Sequence, residues 1–124
     1  MIKRRPKYLN LFKIRQPIPA VVSILHRVSG AVLFLFIPLL LYLLQRSLAS
    51  PQAFADFKTL VGNPLLKIIL IGLAWAYLHH LCAGIRHLLL DAHCGLELHQ
   101  ARAASKAVLV IGIGLTVVLG ALIW

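Results

Sequence analysis

Three stretches of the chain, residues 28–45, 68–85 and 107–124, contain no Lys, Arg, Asp or Glu, and the polar residues gather between and before them. Each approaches the ~20 mostly apolar residues that an α-helix needs to cross a bilayer. The pattern predicts an all-α fold: a single membrane domain spanning 1–124, with transmembrane helices over about 23–48, 64–91 and 104–124. Residues 1–22 form an arm ahead of the first helix, because Pro17 and Pro19 interrupt any helix continuous from the terminus. Leu9, Leu11, Phe12 and Ile14 beside its basic cluster suit an arm lying in the interface. Between the first two spans, Ser50-Pro51 is an N-cap and first-turn pair, followed by Phe54, Phe57 and Val61 at helical spacing. A short amphipathic helix on the outer surface is expected there, ended by Gly62-Asn63-Pro64. In the third span Gly112, Gly114, Gly120 and Ala121 offer the small surfaces that let membrane helices approach closely.

Composition supports this picture and charge orients it. A mean hydropathy of +0.90 over 124 residues is too high for an ordinary soluble domain. The net charge of +10 is explained without nucleic acid, because basic residues collect on cytoplasmic flanks. Seven of thirteen (Lys3, Arg4, Arg5, Lys7, Lys13, Arg15, Arg27) precede the first span, and Arg86, Arg102 and Lys106 bracket the second loop. Only Arg46, Lys58 and Lys67 bracket the first loop, so the N-terminus is expected in the cytoplasm and Trp124 on the far side. The first apolar run starts late and is followed by Leu44-Gln45-Arg46, unlike a cleaved signal. With no Arg- and Ser-rich transit segment, the expected location is a bacterial cytoplasmic (inner) membrane. Cys82 and Cys94 form neither C-x-x-C nor a c-type haem attachment motif, and no role is assigned to either.

The segment Tyr77-Leu78-His79-His80-Leu81-Cys82-Ala83-Gly84-Ile85-Arg86-His87 changes the reading from anchor to site. His80, Gly84, His87 and Asp91 fall at i, i+4, i+7 and i+11, on one narrow helix face. Ionisable groups within a span are costly and point to function. A neutral imidazole can ligate haem iron, relay protons or bind a neighbouring helix by a hydrogen bond. No carboxylate lies within a span, since Asp56, Asp91 and Glu97 sit in loops or at boundaries, and this weighs against a transporter-type relay. His79 points ~100° away from His80, so both cannot ligate one iron. His87 is two turns along the same helix and His26 is shallower than His80, so a second imidazole ligand belongs to a different polypeptide. Haem propionates would then reach the boundary, where His26, Arg27, Arg86 and His87 stand. At the start of the first span, Ser23, His26, Arg27 and Gly30 fall at i, i+3, i+4 and i+7 on one face.

At these two blocks, Ser23-Ile24-Leu25-His26-Arg27-Val28-Ser29-Gly30 and His80 to His87 with Asp91, the chain resembles the cytochrome b membrane-anchor (large anchor) subunits of bacterial succinate dehydrogenase. Arg5-Pro6 and Pro17-Ile18-Pro19-Ala20 also fit that family's N-terminal pattern, and the three-helix plan matches over essentially the whole length. The resemblance implies that His80, four residues before Gly84, is an axial ligand of haem b. It implies that a second, smaller anchor subunit supplies the other ligand, that Ser23 and Arg27 line the ubiquinone site, and that His26 lies near the propionates. His79 stands where an aromatic or apolar residue is commoner, and the spacing to Gly84 selects His80. The implied partners are that second anchor, an iron-sulfur subunit, a flavoprotein subunit and lipid. The chain would be a non-flavin subunit of a succinate:quinone oxidoreductase, with no complete active site of its own. The alternative is a haem-free structural anchor of a fumarate reductase-type complex.

Overall fold

Pro17 and Pro19 begin the first helix rather than interrupt it. Proline is compatible with the first turn, where its missing N–H has no intrahelical partner to lose. In the computed structural model, which describes residues 10–124, helix α1 runs Ile18–Ala49, with Pro17 as its extended N-cap and Ala20 and Val21 N–H donating to the Pro17 carbonyl at 2.9 and 3.1 Å. It therefore starts at Ile18 rather than at Ser23. The basic cluster Lys3-Arg4-Arg5, Lys7 and the Arg5-Pro6 pair lie outside the described residues.

Helix α2 is Pro51–Val61, and the Ser50 hydroxyl oxygen accepts from Ala53 N–H at 3.0 Å, the cap expected from the sequence. Arg46 at the end of α1 holds Asp56 of α2 at 3.2 Å, and Lys58 lies 5.3 Å over the Phe54 ring. Helix α3 is Pro64–Asp91, capped by Asn63 Oδ1, which accepts from Leu65 and Leu66 N–H. It closes with Cys94 N–H donating to Leu89 O at 2.8 Å and His93 N–H to Leu90 O at 3.0 Å, with His93 at φ 58°. This is a Schellman ending with a histidine where glycine is usual. Helix α4 is Leu98–Ile123 and begins well before the expected residue 104. Its first three turns carry His99, Gln100, Arg102 and Lys106, all exposed. These residues are compatible with helix, and hydropathy marked only the part of α4 that is apolar.

Helices α1, α3 and α4 are each long and apolar enough to cross a membrane. At 1.5 Å per residue the 32 residues of α1 extend ~48 Å, beyond a hydrocarbon core of ~30 Å. Helix α3 lies between the other two and packs on both. The shared core is small: Val22 of α1, Ala83 of α3 and Val108 of α4. Gly112 allows α4 to approach the backbone of α3, since a Cβ there would lie 3.6 Å from His79 Cα, and Gly120 sits similarly against Ile71. Gly114 faces open space and takes no part in that approach. Most large apolar side chains point outward, Phe34 and Leu35 being 72 % and 71 % exposed. That suits a bundle whose solvent is lipid, where small-residue packing and hydrogen bonds replace the hydrophobic effect between helices. At the end bearing α2, Lys67 Nζ donates to the Trp124 backbone oxygen at 3.0 Å and lies 5.2 Å over its ring, tying α3 to α4.

Candidate functional site

Helices α1 and α3 run antiparallel, which brings the two sequence blocks together. Gly30 of α1 faces His80 of α3, and His26, one turn earlier, faces Gly84 and His87. The His26 and His80 rings stack at 4.1 Å with 14° between their planes, and the His26 and His87 rings lie 5.0 Å apart and tilted. An open groove is lined by these three imidazoles and Gly84, with Leu81 and Leu88 as apolar walls. Among the described residues, no set of three His, Cys, Asp or Glu side chains is placed to hold a metal ion between them.

The hydrogen bonds of His80 define its chemistry. Its Nδ1 lies 3.0 Å from the His26 backbone oxygen, which can only accept, so Nδ1 donates there, and in the neutral ring this leaves the lone pair on Nε2. The Ser29 hydroxyl donates to the same carbonyl at 2.9 Å and lies 3.3 Å from His80 Nδ1, fixing the ring from a second direction. Gly30 provides the room: a Cβ there would come within 2.8 Å of His80 Cε1. Gly84 leaves space occupied by the His26 ring, its absent Cβ lying 3.6 Å from His26 Nε2. An imidazole that donates Nδ1–H to a carbonyl and keeps Nε2 unprotonated is oriented for ligation through Nε2.

His79 has the opposite surroundings. It is 1 % exposed, stacked on Trp75 at 5.3 Å and packed along Gly112, and its Nε2 has no hydrogen-bond partner. As the ~100° offset between adjacent helical residues requires, it points into the α1–α3–α4 interior while His80 points into the groove. Ser23 is half-buried and Arg27 exposed, one turn apart on α1 beside His26, and Arg27 forms no ion pair among the described residues. Asp91 is exposed, does not line the imidazole groove and forms no ion pair among the described residues. Arg86, expected beside the haem, does not join the cluster: it is buried in the groove between α3 and α4, six residues and therefore ~120° around the helix from His80. Ser29 and Gly30 carry roles that the sequence reading did not assign, because those roles depend on the register of α1 against α3.

Residues 1–119 match the family model described as succinate dehydrogenase/fumarate reductase transmembrane subunit. The chain is 38 % identical, over the full length of both chains, to the succinate dehydrogenase cytochrome b556 subunit of Coxiella burnetii. It is 41 % identical to that of Paracoccus denitrificans over 85 % of this chain and 81 % of the relative. With that of Rickettsia typhi the identity is 31 %, over 94 % of this chain and 90 % of the relative.

Proposed function

The chain belongs to the succinate dehydrogenase/fumarate reductase transmembrane-subunit family, and we propose that it anchors such a complex while His80 ligates haem b and Ser23 and Arg27 line a ubiquinone-reduction site. It is a multi-pass protein of the bacterial inner membrane. The observation that carries the haem reading is the His80 ring, whose Nδ1–H is committed to the His26 carbonyl at 3.0 Å and whose Nε2 is left for iron. The chain fits the group in two further respects. Gly30 lacks the Cβ that would displace the imidazole, and the Leu81 and Leu88 walls suit a porphyrin face. When bound, haem b supplies a one-electron redox centre.

His26 does not serve as the opposite ligand in this reading. Two rings stacked at 4.1 Å present their edges side by side and cannot face one iron from opposite poles. The second axial ligand is therefore assigned to a second, smaller anchor subunit seated on the groove. His26 and His87, nearer the membrane boundary, are assigned to hydrogen-bond the propionates. With the N-terminus in the cytoplasm, as the basic flanks favour, this end of the bundle meets the iron-sulfur subunit, beyond which lies the flavoprotein. Electrons from succinate then reach the boundary, where ubiquinone takes up two electrons and two protons. Arg27, which forms no ion pair among the described residues, and Ser23 one turn away hydrogen-bond a quinone carbonyl and stabilise the negative charge that grows on it.

A reduced-minus-oxidised spectrum of the intact complex tests the haem assignment: His80→Ala is expected to abolish the b-type band, and a band of unchanged position and intensity would overturn it. Arg27→Ala is expected to lower quinone reduction roughly tenfold or more, the loss of one charge-assisted hydrogen bond, while dye reduction by the soluble subunits persists. Equal loss of both activities would refute the quinone assignment.

A further inference from the structure

On the side of α3 away from the histidine cluster, α3 and α4 enclose a groove of ≈ 390 Å³. Cys82, Leu89, Ala104, Val108 and Ile111 make its walls apolar, and one charged side chain, Arg86, lines it. Arg86 is only 7 % exposed, its Nε is buried without a partner, and it makes no hydrogen bond or ion pair among the described residues. A guanidinium is always charged, and burying it without an anion is strongly unfavourable. None of the chain's carboxylates pairs with Arg86, and Asp91, five residues further along α3, lies ~140° around the helix from it. Of its three carboxylates, Asp56 is held by Arg46 at 3.2 Å, Glu97 lies 3.3 Å from His99, and Asp91 is exposed and forms no ion pair. The counter-charge must come from outside the chain.

The walls indicate its source. A free hydrated anion gains nothing from leucine, valine and isoleucine, whereas an amphiphile satisfies both the charge and the apolar surface. Arg86 lies within the last turns of α3, and α4 carries exposed Arg102 and Lys106 at the same end of the bundle, adding positive potential there. Basic pockets between membrane helices on the cytoplasmic side suit anionic head groups. We infer that the α3–α4 groove binds an anionic phospholipid, its phosphate held by the Arg86 guanidinium and an acyl chain lying along Val108 and Ile111. This site goes beyond the proposed function and does not require that His80 bind iron.

The test uses the intact complex, delipidated in detergent and supplied with phosphatidylglycerol, phosphatidylcholine or inorganic phosphate, with bound lipid read by native mass spectrometry and stability by the thermal-unfolding midpoint. The wild type is expected to retain phosphatidylglycerol and to gain thermal stability from it, and not from phosphatidylcholine or phosphate. Arg86→Gln is expected to lower phosphatidylglycerol retention roughly tenfold, as the loss of a charge-assisted contact implies. Ala104→Trp, which fills the groove and keeps the charge, is expected to do the same, and decides the matter if Arg86→Gln fails to assemble. Undiminished retention in Ala104→Trp would overturn the inference. So would equal stabilisation by inorganic phosphate, which marks a free-anion site. If Arg86→Gln loosens a neighbouring subunit while Ala104→Trp keeps its lipid, the anion is a partner's carboxylate and the inference fails.

Discussion

His79 and His80 are adjacent in the chain, yet one is enclosed by three helices and the other borders an open groove. The consequence is a separable pair of phenotypes. His79→Leu removes a buried Nε2 that has no partner together with the ring's hydrogen bond to the Val22 backbone, so the thermal midpoint should fall, by about 1 kcal/mol of stability, while the haem band persists. Loss of the band in that variant would exchange the roles assigned to the two residues. Gly30 gives a second prediction at this scale. Gly30→Ala would place a methyl 2.8 Å from His80 Cε1, closer than packing allows, and must turn the ring from its carbonyl partner. Haem retention, measured as the haem-to-protein ratio after dilution, should fall roughly tenfold, the usual cost of disturbing an outer-shell partner. Gly114→Ala, at a site open to its surroundings, is the control and should leave retention unchanged. The sequence distinguished His80 from His79 by spacing to Gly84. It gave no sign that Ser29 and Gly30, fifty or so positions away, would orient the ring.

At the scale of elements, helix ends were legible where side chains form them and illegible where the backbone does. Ser50 and Asn63 cap α2 and α3 as their residue types lead one to expect. Helix α4 starts at Leu98, ahead of its apolar run, because a polar first turn is silent in a hydropathy pattern, and α1 starts at Ile18 because Pro17 and Pro19 occupy its N-terminal turn, where proline is compatible with helix. The end of α3 is the other case. His93 occupies the left-handed position of a Schellman motif, at φ 58°, where an L side chain is disfavoured. His93→Gly should therefore stabilise the complex by ~1 kcal/mol, seen as a higher thermal-unfolding midpoint. A lower midpoint would mean that the His93 side chain makes a compensating contact within the assembled complex.

At the scale of the whole molecule, α3 is flanked by two grooves of different chemistry, one lined by imidazoles and one by a single guanidinium. On the readings proposed above, each is completed from outside the chain. For the imidazole groove this gives a prediction about assembly. The chain produced alone in membranes should show no low-spin b-type spectrum, and co-production with the second anchor subunit should restore it. A low-spin spectrum from the isolated chain would mean that both axial ligands come from this polypeptide, and the stacked geometry of His26 and His80 would have to open.

Sequence alone determined the three spans, the short helix between the first two, and the two blocks that carry the family resemblance. These follow from local quantities: runs of apolar residues long enough for a bilayer, cap residues before prolines, and angular spacing along one helix. Tertiary structure decided which turn of α1 meets which turn of α3. That register sets the His80 ring on the His26 carbonyl and gives Gly30 its purpose. It also placed Arg86 in the α3–α4 groove, on another side of α3 from the imidazoles. The physical reason is that contacts between helices depend on relative rotation and axial shift, and in lipid these are fixed by close packing at a few small residues such as Gly30 and Gly112. A glycine in a sequence announces that something comes near, and only the fold shows what.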